Sequence, residues 1–157
     1  MTTEELEKQF NAGKLYLRED NLDKALRAFS KAYREDMENP YYMSYYGLCK
    51  AMRAGEIGLG LELCTAAIKK EFHKAELYIN LGRVYIAAGN KKGAVKVFKK
   101  GLIYDPTNEE LHRFMTELGV RNSPIISVLE RSNPVNKYLG IFFRRTLPNL
   151  FKRGRKV

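Results

Sequence analysis

The sequence predicts an all-α fold, a right-handed solenoid of three helix–turn–helix pairs with further helices after them. First, a set of small and aromatic residues at fixed offsets recurs about every 34 residues, a period typical of stacked helical repeats. Second, this set occurs over 6–39, 40–74 and 75–108, and three units are about the minimum that can bury their apolar faces by stacking. Third, Asn21 and Asn90 lie where the short turns inside a pair should be.

The third copy shows the pattern most completely. Its members are Tyr78, Leu81, Gly82, Tyr85, Ala94, Phe98, Asp105 and Pro106. Two helices that cross closely need small residues at the contact, and Gly82 and Ala94 meet this need. Pro106, which lacks an N–H, ends the second helix.

The two earlier copies keep parts of the same pattern. The first copy contains Gly13, Tyr16, Ala25, Phe29 and Ala32. In the degraded middle copy, Gly55, Gly60, Cys64 and Ala67 each lie 34 residues before Gly89, Ala94, Phe98 and Gly101. Gly47, however, lies 35 residues before Gly82. We therefore expect one extra residue in the first helix of the middle copy.

Periodicity and capping residues then place the helices. We expect them near 3–18, 22–36, 40–54, 57–71, 74–88 and 91–104. A seventh, near 108–118, opens at Asn108, has Glu109 and Glu110 in its first turn and ends at Gly119. This helix should cover the apolar face of the last pair. Two later starts, Ser123-Pro124 and Asn133-Pro134, predict further helices.

On these residues the chain resembles the tetratricopeptide repeat family, with Tyr78 in the place usually held by Trp. The resemblance implies a tetratricopeptide domain over 1–119, made of repeats 6–39, 40–74 and 75–108 and the capping helix 108–118. A basic, partly helical extension follows over 120–157. It also implies a protein-binding scaffold rather than an enzyme, since such domains present grooves to partners.

In such stacks the first helix of each pair lines the concave face. The side chains expected there are Phe10, Lys14, Leu17, Tyr41, Tyr45, Leu48, Ile79, Asn80 and Arg83, with Glu76 and Ile86 beside them. The run from Tyr41 to Tyr46 holds four tyrosines, a residue type enriched at interfaces. Helical spacing places some of the four in the core, and we expect Tyr41 and Tyr45 to face outward.

Two narrower resemblances suggest partners. Some tetratricopeptide domains hold the C-terminal carboxylate of chaperones with Lys, Asn and Arg, and Lys14, Asn80 and Arg83 are the analogues here. That clamp is incomplete, because Phe10 stands where the family has Lys and the middle copy offers Ser44, Tyr45 and Leu48 rather than Asn. We therefore do not predict a chaperone C-terminus as the ligand. The chain also resembles the three-repeat chaperones of type III secretion through Gly47-Leu48-Cys49.

Positive charge accumulates along the chain, which carries +10 in all. The last segment, 144–157, has six basic residues and no acidic one: Arg144, Arg145, Lys152, Arg153, Arg155 and Lys156. Interleaved apolar residues suit an anionic membrane surface, and the charge also suits nucleic acid. Alternatively, the apolar residues pack on the repeats and the charges are solvated, or the segment 124–151 fills the groove itself.

Other function classes find no support in the sequence. It contains no phosphate-binding Gly-rich loop, no Ser/His/Asp grouping and no Cys-x-x-Cys pair, and His73 and His112 are isolated. We therefore expect no catalysis, no cofactor and no metal. Cys49 and Cys64 should be buried and reduced, and we expect a cytoplasmic protein. The sequence as a whole predicts an adaptor or assembly factor that binds a peptide or helix of another protein.

Overall fold

The computed structural model describes residues 2–120, which form seven α-helices. They are α1 (Thr3–Arg18), α2 (Leu22–Glu35), α3 (Pro40–Ala54), α4 (Ile57–Lys70), α5 (Ala75–Ala87), α6 (Lys91–Tyr104) and α7 (Glu109–Glu117). Every bound lies within one residue of the sequence-based prediction. The predicted starts at Ser123 and Asn133, and the basic segment 144–157, lie outside the described residues.

Asparagine side chains open four of the helices α2 to α7, among them the predicted start at Asn108. Asn21, Asn39, Asn90 and Asn108 each accept a hydrogen bond from a backbone N–H in the first turn of the helix that follows. Thr2 and Glu5 close a capping box at the start of α1. These contacts satisfy donors that have no partner within the helix, which explains why the helix bounds could be predicted closely.

The two helices of each pair approach closely at a glycine. In the first and third pairs this glycine packs against a phenyl ring of the second helix. A Cβ added to Gly13 would lie 2.7 Å from Cε1 of Phe29, and one added to Gly82 would lie 2.0 Å from Cε1 of Phe98. In the middle pair, Gly60 takes the alanine position, and a Cβ there would lie 2.8 Å from the carbonyl oxygen of Gly47. The middle pair therefore has backbone-to-backbone contact where the others have a phenyl ring.

The extra residue of the middle copy lies at the end of α3. Asp20, Gly55 and Gly89 adopt the left-handed conformation at equivalent turns, with φ of 57°, 70° and 71°. In the first and third copies one residue separates the helix from this turn residue, whereas α3 runs directly into Gly55. The prediction of one additional residue between Gly47 and Gly55 is confirmed.

The core runs through the stack and is closed by α7. Leu111 of α7 is fully buried and packs with Phe98 and Ala94, and the ring of Phe114 stacks on Phe98 with centroids 5.1 Å apart. The predicted capping role of this helix is confirmed. Between Thr2 and Val120, no helix is both long enough and apolar enough to cross a membrane.

Candidate protein-binding groove

A cleft of about 1120 Å³ runs along one side of the stack. Its lining comes from α1, α3, α5 and α7 and from Asn108, the capping residue of α7. The lining side chains are Lys14, Leu17, Arg18, Tyr45, Met52, Glu76, Ile79, Asn80, Arg83, Ile86, Ala87, Asn108, Glu109, Glu110, Arg113 and Phe114. The first helices of all three pairs thus share one surface, as expected for this architecture.

One carboxylate joins the three pairs at the cleft. Lys14 of α1 donates to Oε1 of Glu76 of α5 at 2.6 Å, and the hydroxyl of Tyr45 of α3 donates to the same oxygen. The ammonium of Lys14 also lies 5.4 Å from the ring centroid of Tyr45 and 5.7 Å from that of Phe10. Glu76 and the two rings therefore hold the charge of Lys14 inside the protein's own network.

Burial raises the pKa of the Tyr45 hydroxyl, and the charge of Glu76 beside it acts in the same direction. A phenolate at this position would lie against a carboxylate with little water to screen the repulsion. Tyr45 therefore stays protonated and remains a hydrogen-bond donor to Glu76 at every physiological pH.

Beneath the cleft, a buried polar chain connects α3, α4 and α5. The amide nitrogen of Asn80 donates to the hydroxyl of Ser44 at 3.1 Å, and the thiol of Cys64 donates to the carbonyl oxygen of Ser44 at 3.3 Å. Ser44 and Cys64 are fully buried and Asn80 is 1% exposed. Because an unpaired buried polar group is costly, these contacts fix the register of α3 against its neighbours.

Two arginines of the cleft, Arg83 and Arg18, carry positive charge that no acidic side chain within residues 2–120 neutralises. Arg83 is half-buried, and its one hydrogen-bond acceptor among residues 2–120 is the sulfur of Met52, at 3.8 Å. Within residues 2–120, neither Arg83 nor Arg18 forms an ion pair, whereas Arg113 lies 3.6 Å from Glu110 and 3.7 Å from Glu117. Of the cationic side chains described at the cleft, Arg18 and Arg83 thus have no acidic partner among residues 2–120 and could bind an anionic group of a bound molecule.

The structure brings together six of the nine predicted groove residues and separates three. Lys14, Leu17, Tyr45, Ile79, Asn80 and Arg83 line the cleft, as do Glu76 and Ile86. Tyr45, however, is only 7% exposed, so the expectation that it faces outward is wrong. It presents one edge to the cleft and packs on Phe10 and Phe29, with ring centroids 5.3 and 4.9 Å away.

The predicted placements of Phe10, Tyr41 and Leu48 in the groove are also wrong. Phe10 is 8% exposed and lies in an aromatic cluster with Phe29 and Tyr45. Leu48 is fully buried beside the close contact at Gly47. Tyr41 is half-buried, packs on the core and does not line the cleft.

Sequence reasoning missed the wall formed by α7 and three residues near the ends of α1, α3 and α5. Glu109, Glu110, Arg113 and Phe114 belong to the cap, which has no repeat pattern to align. Arg18 and Met52 each lie one turn beyond a predicted side chain, four residues after Lys14 and Leu48, and Ala87 directly follows Ile86. The helical step that predicted Lys14 would have found Arg18 if it had been continued by four residues.

Comparisons with known proteins agree with this architecture. Residues 51–118 match the family model described as tetratricopeptide repeat. Among solved structures, similarity extends to the Sgt2 tetratricopeptide domain of Aspergillus fumigatus, at 18% identity and a TM-score of 0.60, over 74% of this chain and 78% of that one. The two structures share the fold, and at this identity the likeness carries no further information.

Two further solved structures share the fold. The second tetratricopeptide domain of human RPAP3, solved with the HSP70 peptide SGPTIEEVD, is 14% identical with a TM-score of 0.54, over 74% of this chain and 99% of that one. A chain in a type III secretion complex from Aeromonas hydrophila is 16% identical with a TM-score of 0.57, over 76% of this chain and 79% of that one. The family and fold predicted from the repeat spacing are confirmed.

Proposed function

We propose that this tetratricopeptide repeat protein is a non-catalytic adaptor or assembly factor that binds a peptide or helix of another protein in the cleft between α1, α3, α5 and α7. The observation that carries the proposal is Arg83, which lines that cleft beside apolar side chains and forms no ion pair within residues 2–120. Two fully buried free thiols, Cys49 and Cys64, support a reducing compartment such as the cytoplasm.

The size and lining of the cleft favour a chain segment over a small molecule. Its volume of about 1120 Å³ is spread along four helices, whereas small-molecule sites are enclosed pockets of roughly 300–1,000 Å³. Leu17, Ile79, Ile86 and Phe114 supply apolar contact along it. A peptide or helix with apolar residues at helical or alternate spacing fits such a surface.

The charges of the cleft favour a partner segment that carries a carboxylate. Arg83 and Arg18 present guanidinium groups, which bind carboxylates through two parallel hydrogen bonds. Because Arg83 is half-buried, an ion pair formed there is screened less by water than one on an open surface. We propose that an Asp, Glu or C-terminal carboxylate of the partner binds Arg83.

The position at which a partner carboxylate binds is expected to differ from that in a complete carboxylate clamp. The RPAP3 domain in the comparison was solved with a peptide that ends in two glutamates, a valine and an aspartate. In this chain Glu76 already accepts the hydrogen bonds of Lys14 and Tyr45. We infer that a partner carboxylate binds at Arg83 and Arg18, toward α7, rather than at Lys14.

An affinity capture with matched variants tests this function. The bait is the full chain, in native lysate with nuclease added, compared with Arg83→Glu/Ile86→Ser, which changes one charge and one exposed apolar residue of the cleft. The matched control is Arg27→Glu/Leu15→Ser, the same chemical changes at exposed residues outside the cleft. Circular dichroism verifies that both variants keep their helices.

We expect a discrete protein that is captured by the wild type and the control and lost with the cleft variant. Equal capture by all three baits would show that binding uses another surface. If the captured proteins are instead lost at modest salt concentration and after deletion of 144–157, the binding surface is the basic C-terminal segment, which lies outside the described residues.

A further inference from the structure

The outer face of α6 carries a dense group of lysines that takes no part in the cleft. Lys91, Lys92, Lys96, Lys99 and Lys100 are all exposed, and the helix contains no acidic residue. In the part of the chain that the structure describes, none of the five forms an ion pair. Five positive charges therefore lie on a helix of 14 residues without a counter-charge.

Three of these lysines form a line that ends in an exposed aliphatic side chain. Lys92, Lys96, Lys99 and Ile103 follow at spacings of four, three and four residues, which places them on one face at 3.6 residues per turn. The line is ~17 Å long at a rise of about 1.5 Å per residue. It lies opposite the buried side formed by Ala94, Phe98 and Gly101. Ile103 is 73% exposed, more than any other large apolar residue between Thr2 and Val120.

Folding of the chain does not account for this arrangement. Lys91 and Lys92 lie in the first turn of α6, where the partial positive charge of the helix end disfavours cations. Lys92 and Lys96, and Lys96 and Lys100, are like-charged pairs one turn apart, which destabilise a helix. The helices α1 and α7 instead carry glutamates in the first turn. An anionic partner would relieve the repulsion on α6.

Two exposed aromatic residues extend the apolar end of the line. Tyr104 is 43% exposed and Phe72 is 59% exposed, and their ring centroids lie 5.8 Å apart. The hydroxyl of Tyr78 donates to the carbonyl oxygen of Phe72 at 2.7 Å, which fixes the loop that carries Phe72. Phe72 and Tyr104 thus form an exposed aromatic pair, and Tyr104 follows Lys100 by one helical turn, as Ile103 follows Lys99.

We propose that the outer face of α6 with Phe72, which we call the lysine face, binds an anionic lipid surface. Lysines bind phosphate headgroups as mobile point charges, while aliphatic and aromatic side chains beside them enter the boundary between headgroups and acyl chains. The exposed isoleucine at the end of the row carries no charge for a phosphate and no aromatic face on which a base could stack, so lipid is favoured over nucleic acid. Because α6 contributes nothing to the cleft, the protein can bind a partner and a membrane together.

Flotation with lipid vesicles tests the lysine face on the full chain. Vesicles of phosphatidylcholine alone are compared with vesicles in which about a third of the lipid is phosphatidylserine, which sets the negative surface charge. The variant is Lys92→Gln/Lys96→Gln/Lys99→Gln, and the matched control is Arg27→Gln/Lys31→Gln/Arg34→Gln on the exposed side of α2. Both variants lose three positive charges and keep 144–157, so that any contribution of that segment is equal.

We expect binding only to the anionic vesicles, with an affinity that falls by roughly a hundredfold in the α6 variant and much less in the control. Ile103→Ser, which keeps every charge, should weaken vesicle binding by about fivefold and leave binding to a single-stranded oligonucleotide unchanged. The proposal is overturned by an equal loss in both triple variants, by no binding to anionic vesicles, or by an α6 effect confined to the oligonucleotide.

Discussion

Glu76 of the third helix pair accepts hydrogen bonds from Lys14 of the first pair, at 2.6 Å, and from Tyr45 of the second. In a stack where contacts are mostly between neighbours, this carboxylate connects a residue of α1 with one of α5. It therefore links the first and third pairs and removes Lys14 from the charges available to a partner.

Replacing Glu76 with glutamine should weaken the stack and free Lys14. The side chains of Lys14 and Glu76 are 28% and 35% exposed, so the ion pair is partly screened by water. We expect the free energy of unfolding to fall by about 1 kcal/mol. A double-mutant cycle with Lys14→Met measures the coupling by urea denaturation, and additive effects of the two changes would show that the bridge contributes nothing.

Adding a methyl group at Gly82 should be far more destabilising than adding one at Gly58. The Cβ of Gly82→Ala would lie 2.0 Å from Cε1 of Phe98, a fully buried ring that has no room to move away. We expect a loss of about 3 kcal/mol. Gly58 is the control, since a Cβ there meets nothing within 4 Å, and Gly58→Ala inside α4 should stabilise by about 0.5–1 kcal/mol. Similar melting temperatures for the two variants would contradict the packing.

Stability should decline in alkali because two thiols are buried. Burial raises the pKa of Cys49 and of Cys64 from 9.0 to about 12. Between these values the unfolded chain loses protons that the folded chain keeps, so the free energy of unfolding is highest below pH 9 and falls as the pH rises. Urea denaturation between about pH 8 and about pH 11 checks this slope. Cys49→Ala/Cys64→Ala should flatten it, and an unchanged slope would assign the effect to other groups, such as Tyr45.

Neutralising the lysines of α6 should stabilise the protein. The triple variant Lys92→Gln/Lys96→Gln/Lys99→Gln removes a cation from the first turn and the repulsion between Lys96 and its neighbours. We expect a gain of ~0.5 kcal/mol in dilute buffer that shrinks as salt is added. Thermal unfolding at low and high ionic strength measures it. A loss of stability would show that the lysines have partners within the folded chain.

The fold followed from the sequence because repeat spacing and capping residues act locally. An asparagine before each of α2, α3, α6 and α7 accepts a hydrogen bond from the first turn, so its position indicates the start of the helix. Glycines under Phe29 and Phe98 predicted the helix crossings for the same reason, since only a small residue fits beneath a ring. The extra residue of α3 was visible as a single break in the 34-residue period.

The cleft could be predicted only in part, because its edges depend on contacts between pairs. The spacing that placed Lys14, Ile79 and Arg83 in it also predicted Phe10 and Leu48, which the neighbouring helix covers. Burial of Leu48 follows from the close approach of Gly47 and Gly60, which a one-dimensional pattern does not contain. The wall from α7, and the position of the Glu76 carboxylate between Lys14 and the hydroxyl of Tyr45, appear only once the pairs are stacked.

Site-specific photo-crosslinking tests the central claim, that the cleft binds a protein segment, most directly. A benzoylphenylalanine replaces Ile86, which lines the cleft, or Leu15, which is 55% exposed and lies outside it. We predict a discrete crosslinked protein with the probe at position 86 and none at position 15. The product should disappear when Arg83→Glu is added and persist when Arg27→Glu is added. Equal crosslinking from both positions, or a product at position 86 that survives Arg83→Glu, would contradict the account.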